Sequence, residues 1–222
     1  MFINKYIDHT ILKANTTEKQ IQQLCTEAIE NQFYAICING SYVSLAHKLL
    51  KNTNVQIAAV IGFPLGAMST ESKIFEAKQC VKDGATEIDM VINIGFLKDK
   101  KYDLILQEIT QIKQAIGSHI LKVIIETCLL TDDEKRKMCS IVINSGAEYI
   151  KTSTGFNSNG ATKEDLTLML EEVQGKILIK AAGGISNTQI AQDYINMGIM
   201  RLGTSSSIEL IKNTAINNDS IY

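Results

Sequence analysis

The chain has 222 residues, 45% of them hydrophobic and 21% charged, a globular balance that excludes an intrinsically disordered chain. A formal net charge of −2 supplies no basic field for nucleic acid or for an anionic membrane surface. No apolar run reaches the roughly 18 residues a membrane helix needs, and the opening Met1-Phe2-Ile3-Asn4-Lys5-Tyr6 is no signal peptide, so a cytoplasmic location is expected.

Apolar, β-branched runs alternate with longer helix-period segments from one end to the other. The pattern predicts strands near Tyr6–His9, Phe33–Ile38, Val55–Ile61, Glu87–Ile92, Leu121–Ile125, Glu148–Lys151, Ile177–Lys180 and Met200–Gly203. Amphipathic helices are expected over 17–31, 40–51, 70–83, 100–116, 131–144, 163–173, 187–197 and 204–213. Three of them open with a capping-box pattern: Thr17 with Gln20, Thr131 with Glu134, and Ser186 with Gln189. Eight strand–helix units in succession predict a parallel sheet, and the count favours closure into a (β/α)8 barrel over an open doubly wound sheet. No linker, low-complexity tract or charge block divides the chain. The expectation is one domain over 1–222 with a short tail at about 214–222.

Five cysteines are widely spread without a Cys-x-x-Cys pair and read as reduced thiols, mostly core filler. His9, His47 and His119 form no ligand motif, so no metal site is expected.

In a barrel, reacting groups collect at the carboxyl ends of the strands, and the unusual residues of this chain fall there. Asp8 lies in the first strand, Asp89 interrupts an apolar fourth strand, and Lys122 lies in the fifth. Lys151 ends the sixth strand and Lys180 the seventh. A partly desolvated lysine favours its neutral amine, and a neutral amine attacks carbonyls. Two inward lysines on neighbouring strands are expected to depress at least one pKa by mutual repulsion. The plainer alternative is two lysines neutralised by Asp8, Asp89 and Glu126. Asp89, ionised opposite lysines, could pass protons through a bound water, or serve as a salt bridge to Lys122 or Lys180, or both. Lys122 reads by spacing as structural support, and Cys37, at the end of the second strand, as a buried thiol that could face the pocket.

Three turns rich in glycine or hydroxyls follow strands six, seven and eight: Thr152-Ser153-Thr154-Gly155, Ala181-Ala182-Gly183-Gly184-Ile185-Ser186 and Gly203-Thr204-Ser205-Ser206. Glycines admit close backbone approach, and the loops after strands seven and eight of a barrel often bind phosphate. Thr154, Gly155, Gly183, Gly184, Gly203, Ser205 and Ser206 are therefore the candidate phosphate-binding residues.

Asp8-His9-Thr10-Ile11-Leu12, Val60-Ile61-Gly62-Phe63-Pro64, Glu87-Ile88-Asp89-Met90-Val91-Ile92-Asn93, Tyr149-Ile150-Lys151-Thr152-Ser153-Thr154-Gly155 and Lys180-Ala181-Ala182-Gly183-Gly184-Ile185 together resemble the deoxyribose-phosphate aldolases, in order, from about residue 6 to 208. The resemblance implies that Lys151 forms a Schiff base and that Asp89 and Lys180 relay protons. It implies that the turns at Gly183-Gly184 and Gly203 to Ser206 hold the substrate phosphate. The reaction implied is reversible cleavage of 2-deoxy-D-ribose 5-phosphate to D-glyceraldehyde 3-phosphate and acetaldehyde, with no cofactor. The final residue, Tyr222, resembles a tyrosine that some members swing over the site to help protonate the enamine. Cys37-Ile38-Asn39-Gly40 departs from the pattern, because many members place a proline after the asparagine. Another Schiff-base barrel, such as a transaldolase-like enzyme, and a non-catalytic sugar-phosphate binder remain as alternatives. A homodimer is compatible with all of this.

Overall fold

The computed structural model describes residues 3–185 and 187–212. Short runs of β-branched and small residues form β1 (Ile7–Ile11), β2 (Ala35–Asn39), β3 (Gln56–Ile61), β4 (Glu87–Val91), β5 (Ile120–Ile124), β6 (Tyr149–Lys151), β7 (Leu178–Ala182) and β8 (Arg201–Thr204). Each strand pairs in parallel with the next, and β8 returns to β1 to close the barrel. The expected (β/α)8 architecture is the one observed.

The outer layer holds α1 (Glu18–Glu30), α2 (Val43–Leu50), α3 (Thr70–Asp83), α4 (Ile94–Lys98), α5 (Tyr102–Ile116), α6 (Asp132–Ser145), α7 (Lys163–Val173), α8 (Thr188–Met197) and α9 (Ser207–Lys212). Among the described residues, no helix is long and apolar enough to cross a membrane. The capping boxes at Thr17 and Thr131 form as expected. The third does not. The first cap of α8 is Asn187, whose side chain accepts from the Ile190 amide, and Ser186 lies outside the described residues. The short α4 is an addition to the expected elements, started by the Asn93 side chain, which accepts from the Phe96 amide at 3.1 Å. The last helix starts at Ser207 rather than 204, because Thr204 still belongs to β8.

Strand residues alternate between two environments. Outward side chains such as Ile36, Ile38, Ile88, Met90, Leu121, Val123, Ile150, Ile179 and Leu202 pack against the helices in the main core. Inward, the apolar filling is small: Leu12, Cys37, Ala58 and Val60 form a separate cluster. Barrel interiors are usually filled by branched aliphatics; here much of the remaining interior carries charge.

Candidate active site

Alternation along β4, β5, β6 and β7 brings Asp89, Lys122, Lys151 and Lys180 to the same inner wall. Asp89 is register-paired with Lys122, and Lys151 with Lys180. Asp89 is the hub: its Oδ1 accepts from Lys122 Nζ at 2.7 Å, and its Oδ2 accepts from Lys151 Nζ at 2.9 Å and Lys180 Nζ at 2.8 Å. Asp8 on β1 accepts a second bond from Lys180, and Glu87 pairs with Lys122 beneath. Arg201 approaches Asp8 Oδ1 at 3.8 Å and stacks its guanidinium 3.3 Å from the centroid of the Tyr34 ring.

Full burial of ionised side chains is tolerated only where opposite charges compensate. Burial disfavours ionised Asp89, but Lys122, Lys151 and Lys180 outweigh it and hold its carboxyl well below the usual range. Burial likewise opposes the charge of Lys180, yet Asp8 and Asp89 win, and its pKa stands well above that of an ordinary lysine. Lys122 is raised too, since Asp89 and Glu87 overcome its desolvation. The expected mutual depression is therefore not found at Lys180. Interposed carboxylates, absent from a picture of two bare ammoniums, reverse its sign. Glu126 takes no part in neutralising the lysines. An ammonium has no lone pair to offer a carbonyl, so Lys122 and Lys180 are fixed cations. Lys151 is the cluster's one lysine that retains solvent contact, at 2% exposure against 0% for each of the other two.

Cys37 does face this interior. It is fully buried, its Sγ lies 4.0 Å from Asp89 Oδ2, and desolvation raises its thiol pKa, so it stays protonated.

The turn after β6 is anchored by Glu126, a residue the sequence offered only as a lysine partner. Its backbone is left-handed (φ 55°, ψ 66°). Its buried carboxylate accepts from the Thr154 amide at 3.1 Å, from the Thr154 hydroxyl, and from Asn157 Nδ2 at 3.1 Å. The Thr154 hydroxyl in turn accepts from the Phe156 amide at 3.1 Å, so this candidate phosphate ligand is committed to bracing its own loop. Gly155, at φ 85°, turns the chain beside it. No sequence pattern marks such an anchor, because it depends on a backbone conformation that glutamate rarely adopts.

The turn after β7 carries Gly183 at φ 75° and Gly184 at φ 72°. The preceding loop lies directly against it: a Cβ on Gly160 would come within 2.1 Å of the Gly183 backbone. Gly203 lies inside β8, where a Cβ would stand 3.1 Å from Lys180 Cε, so its lack of a side chain makes room for that lysine. Beyond it the Ser206 amide donates to the Thr204 hydroxyl at 3.1 Å, with Ser205 at the crest of the turn. The turns after β6, β7 and β8 thus line one side of the barrel mouth, next to Lys151. Tyr222 and the rest of the expected tail at 214–222 lie outside the described residues.

The DeoC/LacD family aldolase model matches residues 2–200. The deoxyribose-phosphate aldolase 1 of Mesoplasma florum is 52% identical over 212 residues, covering 96% of this chain and 96% of that one. The deoxyribose-phosphate aldolase of Finegoldia magna is 50% identical over 96% of this chain and 100% of its own. Among solved structures, the deoxyribose phosphate aldolase of Aeropyrum pernix, described as a tetramer, superposes with a TM-score of 0.87 at 26% identity, covering 95% of this chain and 89% of that one.

Proposed function

The chain belongs to the DeoC/LacD family of aldolases, and from that membership we propose that it cleaves 2-deoxy-D-ribose 5-phosphate reversibly to D-glyceraldehyde 3-phosphate and acetaldehyde, with Lys151 as the amine. The observation that carries the assignment of the amine is the asymmetry among three buried lysines. Lys122 and Lys180 are held as cations by Glu87, Asp8 and Asp89, while Lys151 stands nearest the mouth.

In this reading Lys151 Nζ attacks C1 of the open-chain aldehyde, and loss of water gives a protonated imine. The imine withdraws the electron pair of the breaking C2–C3 bond as the C3 hydroxyl loses its proton. D-glyceraldehyde 3-phosphate leaves, and a two-carbon enamine stays on Lys151. Protonation of its methylene carbon and hydrolysis release acetaldehyde. Asp89 touches both Lys151 and Lys180 at one oxygen, so a proton can pass along that oxygen and a bound water during carbinolamine dehydration. Lys180, with its raised pKa, acts chiefly as the fixed cation that keeps Asp89 ionised.

The substrate phosphate is assigned to backbone N–H groups of the turns at Gly183-Gly184 and Gly203 to Ser206, with the Ser205 and Ser206 hydroxyls. The backbone freedom of Gly183 and Gly184 supports this, since N–H groups converge best on an anion where no Cβ intervenes. The five cysteines, all free thiols, fit a reducing cytoplasm.

The test is chemical trapping. Borohydride added with acetaldehyde should leave a stable ethyl adduct on Lys151, found by peptide mapping. An adduct on Lys180 would overturn the assignment of roles, and no adduct would overturn the Schiff base.

A further inference from the structure

His9 follows Asp8 on β1 and points the opposite way, out of the barrel into the helix layer, where it is 3% exposed. Its Nδ1 lies 2.9 Å from the Ser207 hydroxyl, and its Nε2 lies 2.8 Å from a carboxylate oxygen of Glu27 on α1. The other Glu27 oxygen accepts from Gln23 at 2.8 Å, so the carboxylate is held from two sides. The hydrogen bond to His9 leads the influences that lower the pKa of Glu27, followed by the opposing effect of burial.

Serine, imidazole and carboxylate in this order suggest a hydrolytic triad. The burial excludes that reading: Ser207 is 0% exposed, and its hydroxyl donates to the Thr204 carbonyl at 3.1 Å. No substrate can reach its oxygen. What the chain of bonds does accomplish is mechanical. Thr204 and Ser207 bracket the turn after β8, and His9 ties that bracket to β1 and α1. The ring of Phe33, 5.1 Å away, packs against the imidazole and limits its rotation.

We propose that His9, braced by Glu27, is a positioning residue that holds the turn between Thr204 and Ser207 in the shape required to receive the substrate phosphate. The proposal rests on the assignment of the phosphate to the turns after β7 and β8. It adds a requirement that the assignment lacks, namely that a side chain outside the barrel sets phosphate affinity. Adjacent residues of β1 then serve the two ends of one substrate. Asp8 points inward to Lys180 near the reacting carbon, and His9 points outward to the loop under the phosphate. A misplaced loop would weaken phosphate recognition without touching the amine.

Three substitutions separate this from a plain folding role. The amide nitrogen of glutamine can replace Nε2 and keep Glu27 while losing Ser207. The amide of asparagine can replace Nδ1 and keep Ser207 while losing Glu27. Ser207→Ala removes the loop end of the chain of bonds. His9→Gln and Ser207→Ala should each raise KM for 2-deoxyribose 5-phosphate, and Ki for inorganic phosphate, by about threefold to tenfold, the worth of one net hydrogen bond. Turnover of unphosphorylated 2-deoxyribose should stay at the parent rate, and His9→Asn should lie closer to parent than His9→Gln. Equal losses on both substrates, or a parent Ki for phosphate in Ser207→Ala, would overturn the proposal. Gly184→Val serves as the control. If it also fails to distinguish the two substrates, the phosphate assignment falls. If it distinguishes them while His9→Gln and Ser207→Ala do not, only the role of His9 falls.

Discussion

Lys151 and Lys180 stand opposite each other in the β6–β7 register, and both donate to the same oxygen, Oδ2 of Asp89, at 2.9 and 2.8 Å. One carboxylate oxygen thus joins the proposed nucleophile to the fixed cation. Lys180→Leu should abolish most turnover, because Asp89, through whose oxygen the proton passes, loses one of three compensating charges. It also strips Asp8 of its closest partner, and breaking a buried pair costs about 3–5 kcal/mol. A folded but less stable and nearly inactive enzyme is expected. Asp8→Asn/Lys180→Leu should recover part of the stability and none of the activity, as read by urea melts and acetaldehyde release. Near-normal turnover in the single variant would refute the role of Lys180.

The same cluster sets how stability responds to alkali. The pKa of Lys180 is higher folded than unfolded, so the native state holds its proton longer than the unfolded chain. Its contribution is complete below the unfolded value of about 10.4 and is lost as pH rises from there through the folded value. Asp89 has the opposite sign: its lowered pKa contributes above about pH 3.9 and is lost as pH falls toward the folded value. Unfolding free energy should therefore fall between about pH 10 and about pH 11.5, and by less in Asp8→Asn/Lys180→Leu than in the parent. Equal alkaline losses in both proteins would show that the Lys180 pair does not carry the effect.

The sequence offered Lys151 and Lys180 as inward lysines on neighbouring strands and Lys122 as support, and the count of eight strand–helix units was enough for a closed barrel. The charge state of Lys180 was legible only as the alternative in which Asp8 and Asp89 neutralise the lysines, and the sequence could not choose it. That state depends on Asp8 reaching across from β1, a partner 172 residues away in sequence. Lys73 gives the same lesson in the helix layer. Within the helix expected over 70–83 it is fully buried, pairing with Glu108 at 2.9 Å and donating to the Val91 carbonyl at 2.8 Å, partners that helix periodicity does not reveal. His9 was weighed only as a metal ligand, because nothing in the sequence pairs it with Glu27 and Ser207, which lie 18 and 198 residues away. The capping pattern at Ser186 failed because the neighbouring Asn187 is an equally good cap one residue closer to the helix.

Tyr222 is proposed to help protonate the enamine carbon, a task suited to a phenol that can both give and accept a proton. Deleting Tyr222 should slow deuterium exchange into the acetaldehyde methyl group far more than it changes KM or melting temperature. Exchange at the parent rate would assign that proton to water held between Asp89 and Lys180.

Glu126 offers the sharpest test of how the loop beside Lys151 is held. A left-handed glutamate costs on the order of 1–3 kcal/mol, and such strain persists only where surrounding bonds over-determine it. Here the compensation is specific, because the groups that reach the carboxylate are all donors: the Thr154 amide, the Thr154 hydroxyl and the Asn157 side-chain amide. Glu126→Gln keeps the shape but must turn its own NH2 toward one of them, setting donor against donor in a buried site. The expected cost is about 1–3 kcal/mol, the penalty for a buried polar group left without a partner. The damage should be local, since Ile125 and Thr127 keep their backbone bonds to Lys151 and Thr152. Hydrogen exchange should therefore accelerate at the Thr154 and Phe156 amides while the amides of β5 stay protected. Turnover should fall because Lys151 opens into that loop. Glu126→Gly relieves the backbone strain but removes the carboxylate, so it should loosen the same amides even if its melting temperature stays near the parent value. Unchanged protection at Thr154 in both variants would mean that the turn holds its shape without Glu126.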